Sequence, residues 1–522
     1  MKKYILSAAA AIAAAACMTD TAVFACTAFY VGRDVSADGS VIIARTEDML
    51  SAESKRFIVH PAADHKKGEK YTDAFGLSVE YPAHTYRYTA VPGSERRGIG
   101  KTPFGEAGFN ECGVAATSTV TAYPNKEALA ADPLVKNGLY ELSVNDIILS
   151  RASSAREGIE IIAEIVDKYG SGEGNIIMTA DKDEAWYMEI YSGHQYAAVK
   201  LPDDKAAVIA NAYMLREFDP TDEDVIASEE LESLPKEHNF IKVRNGKIDL
   251  RATYSVPDKD SDKVRIWGGR RILFGNPGDD PAKAEHELLY EPSEKISVKD
   301  VMNASRYRYE DTDYSGDIEK NRHIRIIGTA RQEECNILQI RPDMDKEVGC
   351  VEWLCLGNCE FAPFVPYYAV ALSETPYMCR FDSMDYSEAS MYWASRGLST
   401  VCAVNRELYG NKVKEFFSKY EDALIGEVSE NDKLMTATKQ KTLMANKLCA
   451  DNVFDLFNKQ HAMYRELQTF IAGYEGGDEL RENKMTFEPT LKPEKADFVS
   501  YTTDLPTVFT IDKGIDKGED AR

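Results

Sequence analysis

The 522-residue sequence predicts an α+β fold in which helices pack on antiparallel sheets. Two observations lead there. Short β-rich runs follow one another in blocks, several joined by tight turns, and long helical stretches separate the blocks instead of alternating with single strands. Hydrophobic residues make up 44% of the chain, with 20 Phe and 28 Tyr, enough for one large domain with insertions or for two to three smaller ones.

The elements follow in order. "CTAFYVG" and "SVIIART" are β-rich runs joined by the turn signal "SADGS" (Ser36 to Ser40), which reads as a hairpin. "YRYTAVPG" adds a strand, and Gly-Phe-Asn-Glu-Cys-Gly (108–113) is a tight turn feeding another, with Asn110 as a turn former. From Ser143 to Gly170 apolar residues recur at helical spacing, with Ser143 and Ser153 as caps and Gly170 as the stop. Strands resume in "NIIMTA", "EAWYMEIY", "QYAAVKL" and "AAVIANAY", where Trp186 and Tyr187 read as core. Phe218 to Val264 is charged and irregular, the pattern of surface insertions. "CNILQIRPD", "CVEWLCLG" and "YYAVAL" form a further β-rich block, and Asp385 to Tyr474 is helical. The chain thus divides into a leader (1–25), a core with insertions (26–383), a mainly helical part (384–510) and a polar tail (511–522).

The leader has a positive start (Lys2, Lys3), an apolar run from Ile5 to Ala16 and the small-residue site Val23-Phe24-Ala25. The run is too short to span a bilayer comfortably, so the sequence predicts a signal peptide cleaved after Ala25, no membrane span, and a secreted or periplasmic product. A lipid anchor at Cys17 is the weaker reading, because the usual Leu three residues earlier is Ala14.

The net charge of −24 sets the chain against nucleic acid and anionic lipid as partners. Eight histidines are scattered without H-E-x-x-H or H-x-H, and "CLGNC" (Cys355 to Cys359) lacks a second ligand pair, so no metal and no cofactor is expected; buried thiols or disulfides are the default for the remaining cysteines. Homo-oligomerisation stays open.

Cleavage after Ala25 would make Cys26 the first residue, with a free α-amine beside its thiol. A cysteine near the start of an exported protein is ordinarily half of a disulfide. At the cleavage site, with "IARTED" (Ile43 to Asp48) on the facing strand, it reads as a nucleophile whose own amine, of pKa about 8, serves as base. Arg45 would stand near the sulfur and Asp48 near the amine.

The ordering "ACTAFYVGRDVSADGSVIIARTED … FGEAGFNECGVAATST … EAWYMEI … VIANAY … RIIGTARQEECNILQIRPD … FVPYY" resembles the cysteine dipeptidases of the dipeptidase A type, N-terminal-nucleophile (Ntn) hydrolases related to penicillin V acylase and the bile-salt hydrolases. The resemblance implies a four-layer αββα sandwich of two antiparallel sheets and hydrolysis of dipeptides with broad specificity. It makes Cys26 the nucleophile, Arg45 the contact to sulfur and Asp48 the contact to the amine. Asn211 in "VIANAY" matches an oxyanion-hole asparagine and Arg265 in "KVRIWGGRR" the second arginine. The other oxyanion donor falls near Thr119, where the acylases carry asparagine, and Glu47 is a candidate for the substrate's ammonium. Where many dipeptidases show Thr-x-Glu-x-His, this chain reads Gln332-Glu333-Glu334-Cys335-Asn336, with Asn336 in the histidine's place. The rival readings are an acylase of the same fold and a non-enzymatic exported binding protein.

Overall fold

A computed structural model describes residues 26–49, 54–94, 105–119, 122–275, 278, 280–283, 286–382, 384–473 and 486–495. The leader (1–25) and the polar tail (511–522) lie outside the described residues. The elements that build the two main sheets and cover them run in chain order as β1 (Thr27–Val31), β2 (Val41–Asp48), β3 (Ala107–Phe109), β4 (Ala115–Thr119), α1 (Glu141–Arg151) and α2 (Ala155–Tyr169). There follow β5 (Asn175–Ala180), β6 (Ala185–Ile190), β7 (Tyr196–Leu201), β8 (Ala206–Ile209), β9 (Val225–Ala227), α3 (Asp260–Phe274) and α4 (Val298–Ser305). The chain then makes β10 (Gln332–Ile340), β11 (Cys350–Leu356), β12 (Val365–Tyr367), α5 (Met391–Val404), α6 (Asn411–Ala437) and α7 (Lys441–Ala472).

Each main sheet has six strands, in the orders β8-β1-β2-β10-β11-β12 and β9-β7-β6-β5-β4-β3, and every neighbouring pair is antiparallel. The expected hairpin is β1 with β2, Thr27 opposite Thr46 and Val31 opposite Ile42. It lies inside the first sheet, flanked by β8 and β10, so every residue of β1 and β2 is buried. Burial on both faces explains why these strands read as near-continuous apolar runs without polar alternation.

Alternation sorts the side chains between two cores. Ala28, Tyr30, Val41, Ile43 and Leu338 turn toward the second sheet and pack with Ile176, Met178 and Tyr187. Phe29, Val31, Ile42, Ala44 and Ile337 turn the other way, onto Trp267 of α3, Met302 of α4 and the helices α5 to α7. The far face of the second sheet (Ile177, Trp186, Met188) packs on Ile148, Ile159 and Val166 of α1 and α2.

Three local expectations change. Ser143 caps no helix: α1 begins at Glu141 behind Tyr140, and the Ser143 hydroxyl donates to Asp73 Oδ2 at 2.8 Å. The helical stretch is two helices, and the second is capped by Ser154, which accepts from Glu157 N, while Ser153 bonds the Glu157 carboxylate. Adjacent serines offer the same chemistry one residue apart, which sequence does not resolve. In "YYAVAL" the strand stops at Tyr367 and Ala369–Ala371 form a 3₁₀ turn. Gly170 does end its helix, at φ +73°, a conformation only glycine adopts without strain. Asn110 bridges its turn, accepting from Cys112 N and Val114 N and donating to Leu149 O and Ala152 O. The nine described cysteines are free thiols, and Cys355 and Cys359 are both buried.

Glu421 of α6, fully buried, ties the helical C-terminal part to the first sheet. Its carboxylate takes both guanidinium nitrogens of Arg306, one at 2.9 Å, with Lys299 Nζ at 3.0 Å and the Phe364 backbone N–H at 3.0 Å. Removing one partner of a buried pair strands the other's charge. Glu421→Gln should therefore lower unfolding free energy by about 3–5 kcal/mol, measured by urea denaturation; a loss below about 1 kcal/mol, the ceiling for an exposed pair, would show that the clamp contributes little.

Candidate active site

Cys26 precedes β1 and is 1% exposed. Because Thr27 pairs with Thr46, the same register carried one step outward sets Cys26 across from Glu47. Its parity is that of Ala28 and Tyr30, the face turned to the second sheet. The backbone N–H of Cys26 donates to Asn211 Oδ1 at 3.1 Å, and Arg265 Nη1 donates to its carbonyl oxygen. Asn211 stands just past Ala210 beyond the end of β8, the strand that borders β1 on its other side.

Arg265, on α3, holds this end of the strand. It reaches Asn211 Oδ1 at 2.9 Å and Thr27 Oγ1 at 3.5 Å, and Asp262 one turn earlier fixes it at 2.6 Å. Asp262 and Arg265 are neighbours because residues three apart share a helix face. Asp48, at the end of β2, is fully buried on the side facing α3 and α4. Arg325 Nη2 lies 3.1 Å from Asp48 Oδ2, while Asp48 Oδ1 has no hydrogen-bond partner among the described residues. Burial pushes the Asp48 carboxyl up to about 6, against the pull of Arg325 and Arg265.

Arg45, three residues before Asp48 and so on the opposite face, lies between the sheets at 0% exposure. It donates to Ser118 O on β4 and stands 2.5 Å from Glu106, 3.5 Å from Glu141, 3.9 Å from Glu47 and 4.0 Å from Glu334. Lys55, also buried, is 2.7 Å from Glu47 and 3.5 Å from Glu106. Burial pushes the Cys26 thiol up to about 12; Arg45 pulls the other way, and Glu141, Asp48 and Glu47 add to the rise. The same desolvation raises Glu106 and Glu141 well above the usual carboxylate range and Glu334 to about 7, each held back by Arg45.

The structure thus brings Cys26, Arg45, Asp48, Asn211, Arg265 and Glu47 to one end of the β1–β2 pair. The side chain of Thr119 lies outside the described residues; its backbone pairs with Ile176. Glu47 and Asp48 point to opposite faces, as adjacent strand residues must. Sequence reasoning gave no role to Lys55, Glu106, Glu141, Asp262 or Arg325. Glu106 and Arg325 sit inside the quoted "FGEAGFNECG" and "RIIGTARQEECN" runs, a signal that existed unread. Glu141, Lys55 and Asp262 stand in no such run.

Residues 25–419 match the model of peptidase family C69. The chain belongs to that family. Family C69 membership makes it a cysteine-type peptidase. A protein of Streptococcus pyogenes serotype M1 named "Probable dipeptidase B" is 34% identical over 466 residues, covering 85% of this chain and 93% of that one. A "Probable dipeptidase" of Salmonella dublin is 36% identical over 356 residues, covering 66% of this C69 chain and 81% of its own. The structure of penicillin V acylase from Agrobacterium tumefaciens overlays with a TM-score of 0.28 at 14% identity, covering 66% of this chain and 85% of that one, too loosely to carry weight.

The raised Asp48 carboxyl has a consequence for stability. A carboxyl raised on folding stabilises the fold below its unfolded value of 3.8, and that contribution is lost as pH rises through about 6. Asp48→Asn keeps the shape without the charge. In protein retaining residues ahead of Cys26, it should be neutral at pH 4 and raise unfolding free energy above pH 6, by up to about 3 kcal/mol. Parallel urea titrations at pH 4 and pH 8 read the difference; equal stability of variant and wild type at pH 8 would refute it.

Proposed function

We propose that this C69 peptidase is an exported dipeptidase of the Ntn type, with the four-layer αββα arrangement, that hydrolyses dipeptides of broad sequence through Cys26 as its N-terminal residue. The observation that carries this reading is the way both backbone groups of Cys26 are held, the N–H on Asn211 Oδ1 and the carbonyl on Arg265, beside a buried Asp48 oxygen that lacks a donor. An amide N–H donates once, to Asn211. The α-ammonium left by cleavage after Ala25 has three donors, and Asp48 Oδ1 is the acceptor that suits the next one.

Processing changes the chemistry at the sulfur. With residues 1–25 attached, Cys26 has no amine base, and burial holds its thiol in the protonated form. Once freed, the neutral α-amine takes the thiol proton as Sγ attacks the scissile carbonyl, and Arg45 stabilises the growing thiolate charge. The oxyanion of the tetrahedral intermediate is met by the Asn211 amide, whose oxygen is already oriented by Cys26 and Arg265. Collapse breaks the C–N bond, and the ammonium returns its proton to the departing amino group. A thioester to Cys26 remains. Water, deprotonated by the same amine, cleaves it and restores the thiol, releasing the N-terminal amino acid of the dipeptide.

Two measurements test this. Mass spectrometry of the exported protein should find Cys26 first, and that form should hydrolyse alanyl-alanine while a form with an uncleavable extension folds but stays inactive. Cys26→Ser should keep the circular dichroism spectrum and lose at least about 100-fold in kcat/KM, since a serine hydroxyl ionises far less readily than a thiol. Near wild-type turnover by the serine variant or by the extended form would sink the self-base mechanism.

A further inference from the structure

Two cations face four carboxylates in the space between the sheets beside Cys26. The charges are not shared evenly. Glu47 is held by Lys55 at 2.7 Å and Glu106 by Arg45 at 2.5 Å, so each has a close cation. Glu141 and Glu334 stand at 3.5 and 4.0 Å from the same guanidinium, and Glu334 otherwise accepts from the Asn336 amide at 3.0 and 3.2 Å. Both are 3% exposed or less.

A second observation, independent of the carboxylates, concerns neutral groups. The Thr117 hydroxyl and the Asn336 side-chain carbonyl are fully buried, and neither has a hydrogen-bond partner among the described residues. Thr117 lies on β4 in phase with Ala115, which faces the first sheet, and next to Ser118, whose carbonyl Arg45 holds. Asn336 is directly across from Arg45 in the β2–β10 register. A buried polar atom left bare costs about 1–3 kcal/mol. Glu141 and Glu334 lack a close cation and the two bare oxygens lack a donor, although Arg45 Nε and Nη2 are also without a hydrogen-bond partner among the described residues; an α-ammonium brings one charge and three donors.

We propose that Glu141 and Glu334, with Thr117 and Asn336, form the subsite that receives the free α-ammonium of the dipeptide substrate. This rests on the reading of Cys26 as nucleophile. In such a peptide one carbon separates the ammonium nitrogen from the first carbonyl carbon, a span of about 2.5 Å. The ammonium receptor must therefore adjoin the nucleophile, and Glu141 acts on the Cys26 thiol directly enough to raise it. An N-acylated peptide would place an apolar acyl group against two carboxylates and supply no cation, which the buried site rejects. Asn336 thereby acquires a role in this chain: its amide orients Glu334 and its carbonyl faces the incoming ammonium.

The test compares alanyl-alanine with propionyl-alanine, which has the same shape but no amino group. Wild type should prefer the free amine by at least about 100-fold in kcat/KM, as sites built around a polar group do. Glu334→Gln and Glu141→Gln should each narrow that ratio at least tenfold, chiefly through KM; a folding defect would lower both substrates alike and leave the ratio in place. Equal use of both substrates by wild type overturns the subsite while leaving Cys26 chemistry intact, and that comparison decides even if a variant does not fold. If wild type cleaves neither substrate, the peptide-cleaving reading fails and the subsite falls with it.

Discussion

Arg45 is the constraint around which this molecule is arranged. A guanidinium at zero exposure between two sheets is tolerable only where carboxylates surround it and hydrogen bonds satisfy its nitrogens, because desolvating an isolated ion costs several kcal/mol. The chain meets the first of these demands from five separate places, Glu47 on the same strand, Glu106 before β3, the Ser118 carbonyl on β4, Glu141 at the start of α1 and Glu334 on β10, while Nε and Nη2 have no hydrogen-bond partner among the described residues. Those partners join the two sheets at the end where Cys26 lies. Burial raises the carboxylates' proton affinity and with it the thiol's, and the excess of carboxylates over cations adds to the rise.

The two faces of β2 divide the work. Arg45 and Glu47 look toward the second sheet, where the thiol and the carboxylate cluster are; Asp48 looks toward α3 and α4, where Arg265 and Arg325 wait. One short segment, "ARTED", therefore places opposite electrostatic influences on the two sides of a single residue. The period of two in a strand makes this possible without any loop.

The hairpin, the helical C-terminal part and the grouping of Cys26, Arg45 and Asp48 at one end of the β1–β2 pair were legible because their signals are local: apolar runs, turn residues and a spacing of three within one strand. The carboxylate cluster was not. Glu106, Glu141 and Glu334 are far apart in sequence, and only the antiparallel registers β2–β10 and β3–β4 together with the packing of α1 bring them around one guanidinium. Nothing in the sequence around Glu141, in the first turn of a helix, separates it from an ordinary favourable end charge. Lys55 reads as a solvated lysine until the fold closes over it. The misplaced caps at Ser143 and Ser153 have a different origin, since several serines in a row compete for one role and tertiary contacts such as Ser143 to Asp73 choose among them.

The order of strands in the first sheet bears on how the chain is made. β2 has one neighbour next to it in sequence and the other, β10, at residues 332–340. Until that distant segment leaves the ribosome, the apolar edge of Ile42, Ile43 and Ala44 has no partner on that side, and pairing must close a loop of most of the chain. Nascent chains therefore carry an unpaired strand edge until β10 has emerged, a state prone to association. A topology that closes this sheet only once residue 340 has been made leaves that edge open through the greater part of synthesis.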